Sequence, residues 1–182
     1  MFKIITIIVI ITLSFFSIAN ESVDYKDKLI KLAEMDQKIR IGDVNWESVE
    51  KIDKENLRQL KKLIKKHGFP TIKKVGREAH LAAFLIAQHS VSDLGFMHYY
   101  LDETHKRIGR GSVVDQTYAY LLDRTNQIAG KKQVYGTQGE CIDGNYNISP
   151  VVDAVHLASL RRKVGLLPLD EFSKQVCDPE DG

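Results

Sequence analysis

The sequence predicts a mainly α-helical fold, a single compact domain of six or seven helices with one small β-hairpin. Three observations carry this reading. Apolar residues recur at helical spacing through most of the chain, glycines and prolines fall between those stretches, and one segment, near residues 133–148, changes to an extended pattern. The chain has 182 residues, 43% hydrophobic and 27% charged. That is enough apolar material for one core and too much for a disordered chain. No internal repeat or low-complexity tract divides it, and 4 prolines make no linker.

The first helix is predicted over residues 22–40, where Leu29, Leu32, Ala33 and Met35 share a face, and Gly42-Asp43 ends it. The second runs over 46–67 on a stripe of Trp46, Val49, Ile52, Leu57, Leu60 and Ile64. Gly68 stands where a C′ glycine belongs, His67 favours the negative end of the helix dipole, and Pro70 prevents continuation. The third, over 76–90, is apolar almost all round from Ala79 to Ala87, which predicts burial on every side at the centre of the domain. Gln88 and His89 follow at its C-terminal end, as polar groups delivered to the interior or to the floor of a cleft. Ser92-Asp93 caps a helix over 94–108.

A further helix covers 113–129, with Val114, Tyr118, Leu121, Leu122, Thr125, Ile128 and Ala129 as its stripe. Arg124 lies at the edge of that stripe and Asp123 nearly opposite. Gln133 to Gln138 reads as extended, and Asp143-Gly144 is a tight-turn signal, so a hairpin is expected. Pro150 is expected to start a helix to 163 that Gly165 stops, and Pro168 a last short helix through Val176.

Residues 1–19 read as a signal peptide. Lys3 gives a positive start, Ile4 to Ile18 are almost unbroken apolar residues, and Ser17-Ile18-Ala19 fits a cleavage site. The apolar run, about 15 residues, is short of the ~20 that a membrane span needs. An uncleaved anchor stays open as the alternative. No Cys follows the cut, which argues against a lipoprotein. Ala79 to Ala87 is too short to span, so no membrane association is expected after cleavage. The mature domain, 20–182, is then periplasmic or secreted. In an oxidising compartment the two cysteines, Cys141 and Cys177, are expected to pair. The bridge would close a loop of ~36 residues, for roughly 3–4 kcal/mol. A catalytic thiol is the sharper alternative.

A formal net charge of +2 lacks the broad positive field of a nucleic-acid binder, so no nucleic acid is expected as partner. One stretch is locally basic: Arg58, Lys61, Lys62, Lys65, Lys66, Lys73, Lys74 and Arg77. It reads first as a solvated face and second as a patch for an anionic partner.

The candidate site is Gln88, His89, Asp123, Arg124, Gln133, Tyr135, Thr137 and Gln138. His89, as a histidine, has the side-chain type suited to a general acid or base. Asp123 could orient it, Arg124 could clamp an anionic group with two parallel hydrogen bonds, and the remaining amides and hydroxyls could grip a substrate. The competing reading is a satisfied buried network, since buried polar groups need partners whatever the function. His98, Asp102 and His105 share one helix face at spacings that would suit a metal, but an exposed polar face is preferred, and neither metal nor cofactor is predicted. His67, His80 and His156 read as structural or exposed. There is no G-x-S-x-G elbow, phosphate loop, dinucleotide fingerprint or C-x-x-C.

Several short motifs occur in order: Asp36-Gln37 with Arg40, Gly68-Phe69-Pro70-Thr71, Val75-Gly76, Gln88-His89 and Leu121-Leu122-Asp123-Arg124. They continue with Gln133 and Tyr135-Gly136-Thr137-Gln138, Pro150-Val151 with Asp153, and Arg161-Arg162 with Gly165-Leu166 and Pro168. Together they resemble a bacterial family described only as a domain of unknown function, over about residues 29 to 172, with Phe69 replacing the more usual Trp. The resemblance implies that the Q-H, D-R and Q-x-Y-G-T-Q motifs belong to one functional unit, and it adds Gln37 and Arg40 as site members. Two readings are carried forward: an enzyme, hydrolase or transferase, built on His89, Asp123 and Arg124; and a non-enzymatic binding, inhibitor or immunity-like module. The partner is a small molecule or a protein.

Overall fold

A computed structural model describes residues 23–177; the expected signal peptide lies outside the described residues. Among the described residues the fold is mainly α, with seven helices and one two-stranded antiparallel hairpin. The chain falls into two compact units, one ending at Ile86 and one starting at Ala87.

The first unit contains α1 (residues 23–38), α2 (Trp46–His67) and most of α3 (Ile72–His89). Asn45 starts α2 by accepting from the Ser48 N–H at 3.0 Å. Gly68 ends it, its N–H bonded to the Ile64 carbonyl at 2.7 Å. The α2 stripe buries Val49, Leu57, Leu60, Leu63 and Ile64. Trp46, expected in that stripe, is instead 74% exposed, being the helix's first residue. Two bonds pin α1 to α2 and its end: Asn56 Nδ2 donates to the Leu32 carbonyl (3.3 Å), and the Tyr25 hydroxyl to the Gly68 carbonyl (3.0 Å). Tyr25 also stacks on His67, ring centroids 4.7 Å apart.

α3 breaks its helical geometry at Gly76 (φ 80°, ψ 165°), so its long regular part begins after that residue. Ala79, Ala82, Ala83, Ile86 and Ala87 are buried as expected. Burial on every side does not follow, because Leu81, Phe84 and Leu85 are only half-buried. Their spacing puts them on one face, and with Ile30 and Ala33 they line a shallow apolar cleft.

The second unit contains α4 (Leu94–His105), α5 (Gln116–Ile128), β1 (Gly139–Ile142), β2 (Asn145–Ile148), α6 (Leu157–Lys163) and α7 (Leu169–Cys177). Asp93 caps α4 by accepting from the Phe96 N–H (2.9 Å), and α4 packs on α5. The hairpin pairs Gly139 with Ile148 and Cys141 with Tyr146. Its turn has positive φ at both Asp143 (51°) and Gly144 (74°), the primed geometry that matches strand twist. α7 lies against β2, and a Cys141–Cys177 disulfide, Cα–Cα 5.5 Å, ties the end of α7 to β1.

Two segments differ from expectation. Residues 134–138 form a loop, not a strand, and the strands begin at Gly139. Pro150 does not start a helix: its carbonyl accepts from the Gln133 N–H (3.0 Å), while Val152 N–H donates to the Gln133 carbonyl (2.8 Å). This parallel bridge holds 150–152 extended and delays α6 to Leu157.

Candidate functional site

The polar residues of the second unit organise around two buried side chains. The first is Asp123 on α5, fully buried. Its Oδ1 accepts from the N–H groups of Val134 (2.7 Å) and Tyr135 (3.1 Å). Its Oδ2 accepts from the N–H groups of Tyr135 (3.1 Å) and Thr137 (3.0 Å) and from the Thr137 hydroxyl (2.9 Å). The loop thus bends around one carboxylate, whose charge is met by oriented main-chain dipoles.

The second is Gln133, 1% exposed. Its Nε2 donates to the Gln138 and Ser149 carbonyls, both at 2.7 Å, and its Oε1 accepts from the Gln138 N–H at 2.9 Å. Between these anchors Gly136 takes a φ of 65°, open to glycine at little strain. A Cβ on Gly139 would run into the Asn147 carbonyl oxygen.

Arg161 on α6 closes the loop from the other side. It is 1% exposed. Nη1 donates to the carbonyls of Tyr135 (2.8 Å) and Gly136 (3.1 Å), and Nε to that of Leu167 (2.8 Å). The guanidinium also lies over the Phe172 ring, 4.9 Å from its centroid. Nη2 has no hydrogen-bond partner among the described residues. Burial lowers the Arg161 pKa, while the Tyr120 and Tyr146 hydroxyls favour its charge.

Above this layer a cleft of about 480 Å³ opens. Gln88, Thr137 and Gln138 bring it amides and a hydroxyl; Tyr120, Tyr146 and Phe172 bring it aromatic rings. Tyr146 packs edge-on against Phe172 at 5.2 Å. Burial pushes the Tyr146 hydroxyl up to about 12 and also raises that of Tyr120, so both stay neutral donors and acceptors at ordinary pH.

Of the expected site residues, Gln88, Thr137 and Gln138 meet at this cleft, with Gln133 fixing the loop beneath. Tyr135 gives the layer its main-chain groups, while its ring sits edge-on to Tyr118 at 6.4 Å. His89 is half-buried at the end of α3, and Arg124 Nη1 donates to Gln127 Oε1 along α5 (3.2 Å). Among the described residues His89, Asp123 and Arg124 do not line the cleft. The bonds of Asp123 go to the loop, a different task from orienting an imidazole. His105 stacks on Tyr118 at 5.1 Å. His80 is fully buried, and its Nδ1 sits 2.9 Å from the Pro70 carbonyl, which can only accept.

In the first unit, Gln37 and Arg40 belong to a cluster around Asp36. Asp36, fully buried, accepts from Gln37 Nε2 (2.7 Å) and Arg40 Nη2 (3.3 Å), and Asp53 accepts from the same Nη2 (2.5 Å). Sequence reasoning missed Arg161, Tyr120, Tyr146 and Phe172. Arg161 stood in a motif, but no site role was assigned to it. The three aromatics carry no local signal, because the cleft draws each from a different element.

The geometry defines a small, mainly α protein whose second unit carries a neutral, aromatic-walled polar cleft. Over residues 23–180 the chain matches the model of a family of unknown function (DUF6624), and it belongs to that family. No curated protein and no solved structure matches it.

Proposed function

We propose that this is an exported binding protein whose cleft, in the second unit, takes a small neutral polar ligand with a flat or apolar face, a sugar ring being the simplest case. The carrying observation is the lining: the amide side chains of Gln88, Gln138 and Gln175, the Thr137 hydroxyl and aromatic rings around one space, with no carboxylate or imidazole among the lining residues described. Amides offer paired donors and acceptors, and rings pack against the apolar face of a sugar. Arg161 has no carboxylate at ion-pair distance among the described residues, so its charge behind the cleft favours ligands rich in oxygen acceptors.

Export is part of this reading. The expected signal peptide at 1–19 and the disulfide fit an oxidising compartment, and no described helix is long and apolar enough to cross a membrane. N-terminal sequencing of the mature protein should begin at Asn20.

The test is thermal denaturation of the disulfide-bonded protein against neutral oligosaccharides, sugar acids and cationic amino sugars. Neutral sugars should raise Tm, and Gln88→Ala should abolish the shift. A shift confined to the cationic set, or one that survives Gln88→Ala, overturns the proposal.

A second reading is an enzyme, a hydrolase or transferase, with His89 as acid/base and Arg124 as anion clamp. It is favoured by the position of His89, next in the chain to the cleft residue Gln88 at the end of α3. In that case His89→Gln abolishes turnover of a bound ligand while leaving binding intact.

A further inference from the structure

The first unit holds a second cleft, unrelated to the sugar-like site. It measures about 390 Å³ and runs between α1 and α2. Its floor is apolar: Leu32 and Leu63 are at the edge of burial, and Met35 is 47% exposed. Its rim is basic, with Lys31 from α1 and Lys62 and Lys66 from α2. Lys31 and Lys62 are exposed and have no ion-pair partner among the described residues.

The remaining charges on the rim cancel locally. Lys28 is paired with Asp24 at 2.7 Å. Glu55 is taken by Arg58 and Gln59, and those hydrogen bonds hold its carboxyl down at about 2. The residual charge of the rim is therefore positive. An apolar trough under a positive rim is complementary to one kind of molecule, a chain of methylenes ending in an anion. Lysine stems add to the match, since their methylenes extend the apolar wall while the ammonium stays at the edge. The cleft spans eight residues along α1, from Lys28 to Met35, or roughly 10 Å for the steps between them at ~1.5 Å each. That length suits a medium alkyl chain.

We propose that this cleft binds a single-chain anionic amphiphile, a fatty-acid carboxylate, with the alkyl chain on Leu32, Met35 and Leu63 and the carboxylate between Lys31 and Lys62. The basic stretch of α2 then has a use beyond solvation on the side that faces α1.

The experiment is calorimetric titration of the disulfide-bonded protein with dodecanoate, dodecanol and dodecyltrimethylammonium, each below its micelle concentration. Dodecanoate should bind once per chain, more weakly as salt rises and as the alkyl chain is shortened to octanoate. The alcohol should bind about tenfold more weakly, the cation more weakly still. The double variant Lys31→Glu/Lys62→Glu should lose about tenfold for dodecanoate. Both positions are exposed, and an unchanged circular dichroism spectrum checks the fold. Equal binding of anion and cation would overturn the proposal, as would unchanged affinity in the double variant. So would binding to phosphatidylglycerol vesicles with none to monomeric dodecanoate, which would mark a membrane surface. If the variant fails to fold, the head-group and salt series on the native protein decides alone.

Discussion

Asp36 and Asp123 are both fully buried aspartates, one in each unit, and they are accommodated in opposite ways. Asp36 meets side chains: the Gln37 amide and the Arg40 guanidinium, which it shares with Asp53. Asp123 meets the main chain, through three N–H groups and one hydroxyl of the loop that follows its own helix. A buried charge needs compensation from somewhere. Supplied by side chains, it links helices; supplied by main chain, it dictates a loop's path. The second arrangement is the more demanding, because three of its four donors belong to the backbone and cannot turn to another acceptor.

That difference sets the expected order of effects. Asp123→Ala removes the acceptor for four donors at once and should cost about 3–5 kcal/mol in urea denaturation. Asp123→Asn should recover little, since its NH₂ would face N–H donors. A loss under ~1 kcal/mol would mean that the loop holds itself. Next is the double variant Cys141→Ser/Cys177→Ser, at roughly 2–4 kcal/mol, because the bridge closes the second unit's loop and hairpin onto α7. Arg40→Gln should cost about 1–3 kcal/mol, less than Asp123→Ala, because Gln37 still donates to Asp36. If Arg40→Gln proves the costlier, the comparison is reversed and the side-chain cluster is the more rigid of the two.

The smallest effect concerns a third buried polar group, His80. Burial lowers its pKa from the ordinary 6.5, so the folded protein keeps the imidazole neutral, with Nδ1–H donating to Pro70. Above pH 6.5 both states are neutral and no penalty arises. As pH falls through 6.5, the unfolded chain takes up a proton that the folded one refuses, and stability drops until the folded pKa is reached. Tm should therefore fall as pH drops through 6.5, and His80→Gln should lower Tm while flattening that slope. Equal slopes in both proteins would assign the acid sensitivity to other groups.

How far the molecule can be read from its sequence follows the same division between local and distant causes. α2 was legible, Trp46 to His67, because its apolar stripe and its stop at Gly68 are local. The Asp143-Gly144 turn and the Cys141–Cys177 pairing were legible for similar reasons, one set by φ preference and the other by there being two cysteines. The 133–138 segment was misread as extended because its path is set by Asp123, 11 to 14 residues earlier. Pro150 looked like a helix start because the competing partner, Gln133, lies 17 positions upstream. Of the candidate site, Gln88 was named as a polar residue at a helix end, and Thr137 and Gln138 as polar residues of the 133–138 segment. The aromatic wall was not, since Tyr120, Tyr146 and Phe172 look like ordinary core residues.

The 36-residue span between Cys141 and Cys177 makes the end of the second unit a covalent ring. A protease that cuts one peptide bond in the exposed stretch around Val155, 87% exposed, would not release a fragment. The product would be a nicked, two-chain molecule that migrates as one species on a gel until a reductant is added. A protein built this way tolerates a first cut in a digestive surrounding, with its cleft-bearing hairpin still fastened to α7.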